Sequence, residues 1–159
     1  MQQLLLSQYE LIKSARHTLF GYCESIAPAD LFEKVAAFNN SCIIDLLVHN
    51  ANTYIGWLQN FGLDTAVPFY ESSDIKNLVE VEQIFEEIDR FVADFLQKYI
   101  DDYQQRLTKI VKHRGTPATL TPLELFTHVI THEFHHKGQI LTMSRTLGYI
   151  PVDTDVIRT

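Results

Sequence analysis

Between residues 78 and 99, apolar side chains recur as Leu78, Val81, Phe85, Ile88, Val92, Phe95 and Tyr99, in alternating steps of three and four without a miss. An α-helix of 3.6 residues per turn puts all seven on one face. The run therefore predicts a helix long enough to cross a whole domain, and one that needs apolar partners along its full length. Three other stretches can supply them. Leu5, Ile12, Ala15, Leu19, Tyr22 and Ile26 share a face, broken only at Gln8, ahead of Pro28. Asn39, Asn40 and Ser41 are capping residue types in front of Ile43, Leu46, Leu47, Asn50, Tyr54, Trp57 and Leu58, with Gly62 read as the stop. Thr121-Pro122-Leu123-Glu124 has the letters of a capping box with proline at the first helical position, and opens a helix predicted to run to about Leu147, before Gly148. The connection containing RLTKIVKHRGTPATL has room for a short extended piece but no sustained alternation. The expectation is an all-α fold, a four-helix bundle with a long crossover connection, in one domain spanning residues 1–159.

Charge and composition exclude several classes of function. A net charge of −7 with no Lys/Arg run gives no footing for nucleic acid. The opening MQQLLLSQYELIK lacks the basic start and the apolar length of a signal peptide, and no stretch approaches a membrane span. Two cysteines, Cys23 and Cys42, with no CxxC between them, support no disulfide framework. A cytoplasmic protein with neither membrane nor nucleic-acid partners is expected.

The chemistry concentrates in THEFHHKGQI, residues 131–140. On the fourth helix the line Leu125, Val129, His132, His136, Ile140, Met143, Leu147 again steps by three and four, so two imidazoles occupy positions that otherwise face the core. Burying both without a shared partner would cost polar desolvation twice, and histidines at i and i+4 can reach one divalent ion. His128 and His135 lie off that line and rank second. His132-Glu133-Phe134-His135-His136 also reads as H-E-x-x-H, but a zinc protease takes its third ligand downstream as Glu or His, and the 23 residues after His136 contain neither. Glu133-x-x-His136 fits half of a di-iron carboxylate motif whose second Glu-x-x-His is missing. Glu133 itself reads as a solvated acid, well round the helix from His132. A further ligand then has to come from upstream, where His49 is the best-placed histidine. Asp45, one turn before it, is either a partner orienting the imidazole or a helix-start acid. Tyr54, Trp57 and Gln139 either line a pocket or belong to the core, and Cys42 reads as a small buried hydrophobe.

Asp45-Leu46-Leu47-Val48-His49 followed by Trp57, together with His132-x-x-x-His136-Lys137-Gly138-Gln139, resembles the DinB/YfiT-like family of four-helix-bundle metalloenzymes along the whole chain. The resemblance implies an up-down-down-up bundle, a homodimer, a bacterial cytoplasmic origin, and His49, His132 and His136 as the three metal ligands. The family's usual arginine before Gly-Gln is Lys137 here, which removes a guanidinium fork but leaves the ligands untouched. Three neutral histidines leave a fourth position on a divalent ion, zinc or nickel, for water or substrate. Such a site suits transfer with a low-molecular-weight thiol, the activity the family suggests, or hydrolysis. A non-enzymatic metal-binding or stress-response bundle working through its dimer surface is the competing class.

Overall fold

The computed structural model describes residues 1–111 and 115–158. It is mostly helical: α1 spans Gln2–Glu24, α2 Ile43–Tyr54, α3 Leu78–Lys98 and α4 Pro122–Thr146. A two-stranded antiparallel hairpin, β1 Leu107–Val111 and β2 Thr116–Leu120, lies between α3 and α4. α2 packs on α3 and α4, and α1 packs on the same two helices, so the core lies among the four.

α3 is the predicted stripe made solid. Val81, Val92 and Phe95 are completely shielded and Ile88 is 1% exposed, and burial of each such side chain stabilises the fold by roughly 1.5–3 kcal/mol. The Asn77 amide oxygen caps the helix by accepting from the Glu80 N–H at 3.1 Å. α4 begins as its letters predict: Thr121 Oγ1 accepts from the Glu124 N–H at 3.2 Å, and the Glu124 carboxylate accepts from the Thr121 N–H at 2.7 Å. Pro122 stands where no N–H is required.

The structure departs from the sequence-based expectation in four places. The buried line of α1 runs through Tyr9 and Arg16 as well as the predicted apolar residues, so the gap at Gln8 is filled by its neighbour. α2 is capped by Cys42, one residue after Ser41, because Asn39 and Asn40 are used in left-handed backbone (φ 55° at each) to turn the chain. Gly62 does not stop the second helix. The chain continues from α2 as a π-helix over Ile55–Leu63 and ends in left-handed backbone at Asp64. Glycine is needed at 62 for a different reason, since a Cβ there would lie 2.5 Å from the Phe95 ring. Finally, the fold is not purely α. The connection before α4 folds into the hairpin, in register Leu107 to Leu120 and Val111 to Thr116, while residues 112–114 of that connection lie outside the described residues.

Candidate metal centre

α2 and α4 pack side by side, which brings His49 to His132 and His136 across 80 residues of sequence or more. The ring of His49 lies 5.0 Å from that of His132 and 4.8 Å from that of His136, centroid to centroid, and one nitrogen from each histidine lies within 4.8 Å of the other two. Among the described residues this trio is the only group of histidine, cysteine or carboxylate side chains gathered closely enough to hold an ion.

The hydrogen bonds around the trio decide which nitrogens are available. His136 Nδ1 is 2.6 Å from the Gln139 amide oxygen, and His132 Nδ1 is 3.2 Å from the Asn50 amide oxygen. An amide oxygen only accepts, so each Nδ1 carries the proton and each Nε2 keeps a lone pair. The two Nε2 atoms then face each other at 3.2 Å with no proton between them. Two lone pairs at that distance repel unless a cation occupies the space before them, so the donor set fits a divalent ion, with an outer amide fixing each ring.

All three imidazoles are held neutral. Burial, followed by the neighbouring His136 and His49, pushes His132 down to about 3. Partial desolvation also lowers His49, and it lowers His136 despite the hydrogen bond from its ring to Gln139. Neutral histidine is the form that binds metal.

The other residues singled out from the sequence fall into two groups. Trp57 lies at the site: with His49, His128, His132, Gly56 and Phe69 it lines an open cavity of about 490 Å³, its ring 5.4 Å from that of His128. Gln139 is also at the site, through His136. Asp45 is turned to the start of its own helix, where its carboxylate accepts from the Cys42 N–H at 2.8 Å, from Ser72 Oγ at 2.7 Å and from the Lys34 ammonium. Burial would raise this carboxyl, but those bonds outweigh it and bring it down to about 2. Tyr54 is fully buried and faces away from the cavity, towards Glu133.

Glu133 is not the solvated acid it resembles in sequence. It is 5% exposed and forms a bidentate pair with Arg16, Nε to Oε1 at 2.9 Å and Nη2 to Oε2 at 3.3 Å, while the Tyr54 hydroxyl donates to Oε2 at 2.6 Å. Arg16 also reaches Asp89 at 2.7 Å and lies 4.5 Å from the centre of the Phe85 ring. Lys137 likewise points inward. Its ammonium donates to the Thr154 carbonyl at 2.6 Å over the Phe134 ring and ties the C-terminal segment to α4. Sequence reasoning missed Asn50 as a histidine partner. The available signal was an amide side chain within the apolar face of α2, where a core residue was expected.

Known proteins agree with the whole-chain resemblance. A family model described as the DinB family matches residues 1–159. Two relatives from Bacillus subtilis (strain 168) are similar over nearly their full lengths. "Protein DinB" is 24% identical over 165 residues, covering 98% of this chain and 92% of that protein. "Uncharacterized protein YizA" is 24% identical over 156 residues, covering 96% and 94%.

Proposed function

This chain belongs to the DinB family, and from that premise we propose that it is a metal-dependent transferase using a low-molecular-weight thiol, with His49, His132 and His136 holding the ion. The observation that carries this reading is the apposition of two Nε2 lone pairs at 3.2 Å, each ring fixed from behind by an amide oxygen. A divalent ion, zinc or nickel by the preference of imidazole, supplies Lewis acidity that lowers the pKa of a thiol or water beside it.

The chain's own residues do the rest. Asn50 and Gln139 keep the tautomers that leave Nε2 unprotonated, and Asp45 acts on His49 only indirectly, by fixing the first turn of α2. Trp57 and Phe69 line the cavity beside His49 and His132 and offer apolar surface to the substrate. In transfer to an electrophilic carbon, the sulfur–carbon bond forms as the leaving group departs with its electron pair, and the thiol proton passes to solvent. The same reading takes the helices as an up-down-down-up bundle in the cytoplasm. It takes the protein as a homodimer, for which Leu4 and Leu11, exposed a heptad apart on α1, offer an apolar edge. No helix among the described residues is long and apolar enough to cross a membrane.

The test begins with protein purified without a histidine tag and analysed for bound metal. Turnover of an electrophilic aryl substrate with a panel of small thiols, and of ester substrates without thiol, follows on metal-loaded and chelated samples. Thiol-dependent turnover that disappears with the ion and returns with it supports the proposal. Ester turnover alone moves the reading to a hydrolase, and tightly bound metal without any turnover moves it to the non-enzymatic class.

A further inference from the structure

Beside the histidine cavity lies a second one, also of about 490 Å³, between the π-helical segment and β1. The two share Gly56, Trp57 and Phe69 and so adjoin one another, the first reaching His49 and His132 and the second reaching the hairpin. Either cavity alone falls in the size range of small-molecule sites, about 300–1,000 Å³. Their walls differ in kind. The first carries the imidazoles, whereas the second is built from Phe61, Ala66, Val67, Pro68 and Ile110 as well as the shared residues.

Three features make the second cavity a prepared site. First, its outer wall is pinned: Asn60 exchanges two hydrogen bonds with the backbone of Val67 (2.8 and 2.9 Å), and Asn52 does the same with Tyr70 (2.9 and 2.8 Å), which holds Phe69 between them. Second, Phe69 and Ile110 are left 47% and 58% exposed at its rim, apolar area that a ligand would cover. Third, Lys109 is already occupied, its ammonium donating to the Phe61 carbonyl at 2.7 Å and standing 3.3 Å from the Asp64 carboxylate. The Lys109 charge on that wall is therefore already met from within the protein, which favours an uncharged ligand there.

We infer that the groove between the π-helix and β1 binds the uncharged, aromatic or aliphatic body of an elongated small molecule whose polar head lies at the three histidines. The head placement rests on the metal reading above; the body subsite rests on the groove itself. Trp57, the sole tryptophan of the chain, lines both halves, so its fluorescence reports occupancy directly.

The experiment titrates zinc-loaded protein with n-alkyl hydroxamic acids of increasing length, from acetohydroxamic acid upward, following Trp57 emission. Affinity should rise about three- to four-fold per methylene until the groove is filled. The ratio of long-chain to short-chain affinity should collapse in Ile110→Asp and in Phe69→Ser, both changed at exposed rim positions, with circular dichroism checking that each stays folded. Zinc-loaded protein whose affinity is independent of chain length overturns the subsite, and that is also the result expected if a second copy of the chain covers the groove. A slope unchanged in both variants overturns it as well. If elemental analysis finds that no metal binds, the metal reading fails separately. The groove is then judged with phenylalkyl alcohols, which have no metal-binding head: a Trp57 response lost in Ile110→Asp supports it, and no response overturns it.

Discussion

His132 and Glu133 are consecutive on α4 and open onto two polar clusters of opposite character. Glu133 belongs to a network that is complete within the protein: Arg16 donates to both its oxygens and to Asp89 and Tyr9, and Tyr54 donates to Glu133. No buried side-chain nitrogen or oxygen among the described residues lacks a partner. His132 belongs to a cluster in which Asn50 and Gln139 support two of the three rings from behind, while in front its Nε2 meets that of His136. One arrangement is closed by its own partners; the other presents a donor set that fits a cation. Polarity on this helix is therefore closed within the protein on one side and open to a ligand on the other, one residue apart.

The largest effect that would break this distinction is on stability. Glu133→Ala leaves the Arg16 guanidinium buried with only Asp89 to balance it, and removing one partner of a buried pair costs about 3–5 kcal/mol. Urea melts of the metal-free variant should show that loss. The double change Arg16→Met with Glu133→Leu should recover much of it, because apolar residues of similar volume often replace a buried pair at little cost. A Glu133→Ala protein as stable as the parent but unable to bind metal would transfer Glu133 to the side open to a ligand.

Second in size is the loss of a ligand. His132→Ala should weaken metal binding by more than the roughly 10–100-fold expected for losing an outer partner, while leaving metal-free stability near that of the parent. Competition with a chromophoric chelator measures the first and urea melts the second. Full retention of tightly held metal would remove His132 from the site. Gln139→Leu sharpens the comparison at a smaller scale. It keeps the ligands but frees the His136 ring and its tautomer, so affinity should fall about 10–100-fold, with the fold intact. A change below twofold would mean that Gln139 does not orient the ring.

What the sequence disclosed follows the reach of local patterning. Helical stripes are local, so α3 and the start of α4 are legible residue by residue, and His132 with His136 stand out because they occupy core positions of one stripe. Hydrogen-bond partners are not local: Asn50 lies 82 residues from His132 and Arg16 lies 117 from Glu133, so neither pairing leaves a mark on the nearby sequence. His49 is singled out in the sequence by elimination, as the best-placed upstream histidine, and then by the family resemblance, because no spacing ties it to His132 and His136. The hairpin is hidden by a different effect. Its inward positions on β1 are Leu107, Lys109 and Val111, and its most exposed apolar residue is Ile110, so the polar and apolar letters are interchanged at two adjacent positions and the period of two is lost. Lys109 can face inward because the Phe61 carbonyl receives its ammonium. The π-helix could not be read from the same stripe because i→i+5 bonding changes the period partway along a continuous helix.

The smallest predicted effect separates the two clusters by pH. The folded histidines are held below their ordinary value, His132 to about 3, whereas the unfolded chain takes up protons near 6.5. As pH falls through 6.5 the unfolded state binds more protons than the folded one, so metal-free stability is present above that pH and declines below it. Between pH 7 and 6, His132 contributes at most about 0.7 kcal/mol to this decline, less after discounting for its partial exposure to solvent. Metal occupancy should fall over the same range, because protons compete for the same nitrogens, and loaded protein should show a steeper decline than metal-free protein. The Arg16→Met, Glu133→Leu double variant should keep the full acid-side slope, since its changes leave all three histidines in place, whereas His132→Ala should flatten it. Thermal melts of loaded and chelated protein across that pH interval measure both. A slope that follows the Arg16–Glu133 pair instead of the histidines would reverse the assignment of which cluster responds to its surroundings and which is closed.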